Sequence, residues 1–183
     1  MLLALATAWL PLRAANEAAG GDAPRESIEY EVKGAYLFKF GEFVDWPAQA
    51  FTGPTSPFII AVMGSDAMAD VLEELAKRRQ INGRAVQVKR VERTEFVTPA
   101  QIVFIGAGET EPLRTLAESL KSASVLTVTE NSKPTTPVGM INFVIRDNRV
   151  RFEIDADAAD QVGLKISSKV LSLAVTVKSP RQR

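Results

Sequence analysis

The sequence predicts an α/β fold: a single domain with a mostly parallel sheet flanked by helices, a C-terminal antiparallel β-hairpin and a long final helix. Three observations carry this prediction. The short, wholly apolar runs Phe58–Met63 (FIIAVM) and Ile102–Ile105 (IVFI) suit strands buried on both faces, the mark of a parallel sheet. Segments of helical periodicity stand between the strand-like segments, as crossover connections require. Beyond residue 140, apolar and polar residues alternate on either side of Asp147-Asn148, which is the pattern of an antiparallel hairpin with one wet face, expected at the sheet's edge.

The elements follow in order. Met1 to Leu12 (MLLALATAWLPL) is apolar and uncharged, about the length of a signal-peptide core and short of the ~20 residues that span a bilayer. Ala14, Ala15, Ala18 and Ala19 offer cleavage positions. The basic residues that normally precede such a core are missing, so the coding start is expected upstream of Met1. We assign 1–15 to a signal peptide, 16–26 to a flexible leader, 27–178 to the domain and 179–183 to a basic tail. From Ser27 to Asp45, Ile28, Val32, Tyr36, Phe40, Phe43 and Val44 keep helical steps, and Pro47 ends the helix after Trp46. The Phe58–Met63 strand leads through Gly64-Ser65-Asp66 into a helix carrying Met68, Val71, Leu72 and Leu75. Asn82-Gly83 is a turn, and Ala85 to Val91 reads as the second strand. The third strand, Ile102–Ile105, is closed by Gly106-Ala107-Gly108. Pro112 then opens a helix with Leu113, Leu116 and Leu120 on one face. Val125 to Thr129 is a fourth strand, and a Pro-rich loop, Lys133 to Pro137, follows it. The hairpin pairs Ile141, Phe143 and Ile145 with Val150, Phe152 and Ile154. A last helix from about Ala156 to Val177 is expected on the stripe Ala159, Val162, Ile166, Val170, Leu173 and Val177.

Composition narrows the function. Lys and Arg total 22, as do Asp and Glu, and this balance argues against a general nucleic-acid binder. The chain has no Cys and no His. Thiolate and Ser-His-Asp mechanisms are therefore excluded, and ordinary zinc sites nearly so. No cofactor is expected, and no enzyme activity.

The remaining motifs have plain readings beside sharper ones. Asp155, Asp157 and Asp160 form DxDxxD, but the glycine and terminal glutamate of a calcium loop are absent, so helix capping is preferred to a metal site. Lys165 and Ser168, like Lys169 and Ser172, are three apart, in the reverse order of the Ser-x-x-Lys motif. An ordinary amphipathic helix accounts for them. Arg78, Arg79, Arg84, Lys89, Arg90 and Arg93 form a local basic cluster, most simply a solvated face. Gly64-Ser65 and Gly106 to Gly108 follow buried strands, where open α/β sheets bind ligands. Neither is a full dinucleotide or P-loop motif, and capped turns are the plainer reading. Gly64, Ser65, Gly106 and Gly108 are the candidate ligand-binding residues. Tyr36, Phe40, Phe43 and Trp46 form an aromatic face that core packing largely explains. Trp46 lies at the helix end beside Pro47, so Phe43, Trp46 and Pro47 are the candidate partner-binding residues.

Several stretches, in order, resemble one family. Val32 to Pro47 (VKGAYLFKFGEFVDWP), Met63-Gly64, Ile81 to Arg84, Val125 to Glu130, Val138 to Phe143 (VGMINF), Arg151 to Ile154 and Gly163 to Ala174 (GLKISSKVLSLA) are similar to the motifs of the YfiR family. The resemblance covers about Val32 to Val177. It implies an exported, periplasmic α/β regulator, often a homodimer, that binds a membrane-bound signalling enzyme. A diguanylate cyclase, repressed from the periplasmic side, is the best-known partner, and other members sit beside sensor kinases or outer-membrane receptors. Two positions depart from the pattern. Gln101 stands where the family often has Cys, and Val138-Gly139 stands where it has paired Gly. Any disulfide-based control seen in relatives is therefore absent here.

Overall fold

Strand runs that are apolar on both faces must be covered from both sides, and the chain builds its sheet accordingly. The structure, a computed structural model, describes residues 22–92, 99–107, 120, 123–130 and 139–179. Helix α1 (Asp22–Phe43) leads through the short strand β1 (Val44–Asp45) and a loop to β2 (Phe58–Met63). Helix α2 (Asp66–Ala76), β3 (Gln80–Ile81), β4 (Arg84–Arg90), β5 (Ile102–Ile105) and β6 (Leu126–Thr129) follow. The hairpin is β7 (Ile141–Arg146) with β8 (Arg149–Asp155). The chain then runs through α3 (Ala156–Gln161), β9 (Lys165–Ile166), α4 (Ser168–Leu171) and β10 (Thr176–Lys178). Eight strands lie in the order β10-β8-β7-β6-β5-β2-β4-β3, and β1 pairs with β9 apart from them. The run β4-β2-β5-β6-β7 is parallel, whereas β3 and β8 are antiparallel to their inner neighbours. The sheet is therefore mixed.

Alternation along β2 divides the core. Phe58, Ile60 and Val62 join Leu37, Phe38 and Phe40 of α1 and Met68 and Leu72 of α2 on one face. Ile59, Ala61 and Met63 join Val103, Ile105, Leu120 and Val125 on the other. Tyr36 and Phe40 meet Phe143 and Phe152 in an aromatic cluster with ring centroids 5.1–6.4 Å apart, edge-on where α1 crosses β8.

Four expectations need correction. The long final helix does not form. Helix α3 stops at Gln161, where Gly163 takes φ +77° and the Leu164 and Gly163 N–H groups bond back to the Ala159 and Asp160 carbonyls. That is a Schellman stop, and the left-handed glycine supplies it. The stripe Ile166, Val170, Leu173 and Val177 has helical spacing but is spread over β9, α4, the turn after α4 and β10. The first helix begins at Asp22 rather than Ser27, and its expected last two residues form β1 instead. The hairpin is not the sheet's edge, because β10 lies outside β8 and parallel to it. Its polar face is also not wholly wet, since Asn142 is buried. Asp147 and Asn148 both have positive φ, which matches a type I′ turn. The signal segment, Arg93, Gly108, the helix expected after Pro112 and the Lys133 to Pro137 loop lie outside the described residues.

Candidate functional site at the strand ends

The chain passes from β2 through α2 to β4 on one side, then returns to β5 on the other side of β2. Such a reversal leaves a crevice at the carboxyl ends of β2 and β5, where open α/β sheets bind ligands. Gly64, at φ +70°, turns the chain out of β2. Ser65 caps α2, its Oγ accepting from the Met68 N–H at 3.2 Å. Gly106 leaves β5 with its N–H donating to the Met63 carbonyl at 2.8 Å. A Cβ at Gly106 would collide with the Gly64 carbonyl, so the two loops touch backbone to backbone. The crevice is thereby closed at its centre.

Beside this contact lies a buried ionic group. Glu130 follows β6 directly, and its carboxylate accepts from Lys33 Nζ at 2.5 Å, Tyr30 Oη at 3.1 Å and the Ala107 N–H at 3.1 Å. Lys33 also pairs with Glu29 one turn earlier on α1 at 2.5 Å. The Lys33 and Glu130 side chains are 5% and 6% exposed. Burial works against the Lys33 charge, but its bonds to Glu130 and Glu29 outweigh burial and leave its pKa raised. Burial raises the Tyr30 pKa, assisted by the Glu130 charge and opposed by a bond to Ser65. Lys33 is thus held protonated and has no lone pair for nucleophilic chemistry at neutral pH. Thr129 Oγ1 extends the polar layer by donating to Asn142 Oδ1 at 2.8 Å and accepting from the Gly139 N–H.

The sequence motifs distribute unevenly around this centre. Gly64 and Ser65 also border an open cavity of about 620 Å³, walled by Asp66, Arg90 and Glu92 beyond β2 and β4. Gly106 packs against Gly64, and Gly108 is outside the described residues. The strand-end candidates are therefore brought together only in part. Phe43 is half-buried, with Lys169 Nζ 5.3 Å from its ring centroid. Trp46 is half-buried, set edge-on to Phe58 at 5.4 Å with its Nε1 donating to the Gly41 carbonyl. Pro47, also half-buried, precedes a short 3-10 turn, Ala48–Ala50. Phe43 and Trp46 lie at either end of β1, facing α4 and the Arg84 loop respectively.

The other motifs resolve into local structure. Asp155 caps α3 and pairs with Lys178. Lys165 lies in β9 and reaches Asp160, and the Ser172 hydroxyl bonds the Lys169 carbonyl, so no serine–lysine pair forms there. Within the basic cluster, Arg78 pairs with Glu74, Arg79 with Glu42, and Arg90 with Asp66, Asp70 and Glu73 together. Those carboxylates raise the Arg90 pKa above its already high usual value. Arg84 donates to the Gly53 and Ser56 carbonyls over the Phe51 ring.

Sequence reasoning missed Lys33 and Glu130. Nothing in spacing links positions 97 residues apart. The available signal was a glutamate directly ending a buried strand, which needs a partner wherever it is not solvated. Among the described residues no helix is long and apolar enough to cross a membrane. A family model described as YfiR/HmsC-like matches residues 30–175. No curated protein matches the chain.

Proposed function

Because the chain belongs to the YfiR/HmsC-like family, we propose that it is a non-enzymatic periplasmic regulator that binds a membrane-bound signalling enzyme and represses it. The partner is of the diguanylate cyclase or sensor kinase type, met on its periplasmic side. The contrast between polar and apolar surfaces supports this reading best. The ionisable groups at the strand ends are bound to one another, while Ile28, Val32, Ile145, Leu173, Val175 and Val177 remain exposed. Spent polar groups suit a scaffold, and exposed apolar groups suit docking. The docking face is proposed around Phe43, Trp46 and Pro47, and the working unit as a homodimer. Repression needs only that the protein binds the inactive state of its partner more tightly than the active one.

The test captures membrane proteins on the tagged protein, identifies the signalling enzyme recovered, and measures that enzyme's turnover in vesicles. Turnover should fall on adding wild-type protein and recover with Pro47→Glu or Asp45→Arg, which alter the proposed face and spare the Trp46–Phe58 contact. An enzyme that binds but keeps its full turnover would defeat the proposal. The cavity bordered by Gly64 and Ser65 favours a second reading, a small-molecule sensor using the strand-end loops. A ligand screen by thermal shift, repeated with Ser65→Trp to fill the cavity, separates the two.

A further inference from the structure

The N-terminal part of α1 and the tip of the β7–β8 hairpin enclose an open groove of about 470 Å³, lined by none of the residues that border the Gly64–Ser65 cavity or the hollow at Trp46. Its apolar walls are Ile28 and Val32 from the helix and Ile145 from the hairpin, which are 61%, 38% and 50% exposed. Arg25, Arg149 and Arg151 flank these walls. None of the three has a carboxylate partner among the described residues, whereas neighbouring Arg146 is neutralised by Glu153 at 3.0 Å. The one acid lining the groove, Glu29, is held by Lys33. The groove therefore pairs unpartnered apolar surface with an excess of positive charge.

From this we infer that the groove is a docking site for an acidic, amphipathic helical segment of a partner protein. Residues 25, 28, 29 and 32 place one helical face along the groove, and a second helix laid there would present apolar side chains at the same spacing. Flanking Asp or Glu residues on that helix would meet guanidinium groups that have no carboxylate partner among the described residues, in the planar, two-point geometry that arginine favours. Two other occupants fit less well. A second copy docked through the same patch about a two-fold axis would set arginine against arginine. An anionic membrane would welcome the charge, but the apolar side chains line a concavity that a bilayer surface does not enter.

This inference adds a second surface to the docking reading above. The experiment reads the groove itself rather than repression, so either can fail alone. A random-peptide display library is selected against the full chain. The expected winners combine Leu, Ile or Phe at helical spacing with Asp or Glu. They should bind about tenfold more weakly to Ile145→Asp and to the Arg149→Glu/Arg151→Glu pair, the loss of one well-made contact. Backbone amide shifts on binding should fall on α1 and the hairpin, and unfolding curves confirm that each variant is folded. No enrichment, neutral or basic winners, or binding indifferent to both variants would overturn the inference. So would sedimentation with phosphatidylglycerol vesicles that the arginine variant abolishes, which assigns the groove to lipid. Self-association lost with Ile145→Asp would likewise assign it to a second copy.

Discussion

Replacing Glu130 by Gln removes one charge from the buried Lys33–Glu130 pair and little else. The amide oxygen can still accept from Tyr30 and the Ala107 N–H, while the amide NH2 takes the place of Oε2, so the bond from the ammonium group is lost and a donor faces it instead. At 2.5 Å, and with an effective dielectric constant near 20, the attraction is worth about 7 kcal/mol. Several kcal/mol of desolvation per ion offset it. Breaking a buried pair typically costs about 3–5 kcal/mol, because the remaining charge stays buried without its partner. Lys33 keeps Glu29, which is 34% exposed, so the lower end applies and Glu130→Gln should cost about 3 kcal/mol. Lys33→Met should cost about the same, by stranding the carboxylate. The double variant buries neither charge and should cost no more than either single change, a coupling of about 3 kcal/mol. The assay is equilibrium urea unfolding followed by the fluorescence of Trp46, the one tryptophan among the described residues, with constant m-values required. Effects that add within about 0.5 kcal/mol would refute the claim that the two charges act as a buried pair.

The same site sets an alkaline response. Folding raises the pKa of Lys33 from 10.5 and of Tyr30 from 10.0, so both groups bind protons more tightly in the folded chain. Their contributions are whole below about pH 10 and decline as the pH climbs through the raised values. The stability difference between wild type and Lys33→Met should therefore shrink in that window, and unfolding curves across it would show this. Gly106 has no positive φ, so Ala there should gain some stability by restricting the unfolded chain. The collision with Gly64 predicts instead a loss of about 2–3 kcal/mol, with Gly53→Ala, in open space, neutral or stabilising. Arg84→Lys keeps the charge but loses the planar guanidinium stacked over Phe51, which also sets Nη1 at the Gly53 and Ser56 carbonyls. Thermal denaturation should show a cost of about 1–2 kcal/mol. Trp46→Ala removes an edge-on contact and a hydrogen bond and should cost about 3 kcal/mol by the same measurement, which makes it a poor probe of docking.

Much of the sheet was legible because burial on two faces forces an unbroken apolar run, and β2 and β5 are such runs, too short for a buried helix and followed by glycine. The end of the chain was not. Ala159, Val162, Ile166, Val170, Leu173 and Val177 satisfy helical spacing, and only Gly163 signals that the helix stops. A glycine inside a periodic stretch is ambiguous until its φ is known. Residues 165–166 become a strand through a tertiary contact, since Ile166 pairs with Val44 and the Ser167 N–H bonds the Phe43 carbonyl. The strand-end loops were legible as loops from their glycines and their capping serine. Their pairing with Lys33 was not, because an ion pair across 97 positions leaves no local pattern. The groove between α1 and the hairpin was hidden for the same reason.

The aromatic cluster has a kinetic consequence. Tyr36 and Phe40 find their ring partners at Phe143 and Phe152, more than 100 residues later. Strand β1 likewise waits for β9, and Glu130 is the distant partner that Lys33 requires. One face of the first helix therefore waits while most of the chain is made, and closure over such separations is slow. Leu37 and Phe38 share a core with the early elements β2 and α2, but until the hairpin arrives α1 presents Tyr36 and Phe40 to solvent or to whatever shields them. The described fold therefore closes late where α1 meets the hairpin, and those two elements reach the native state together.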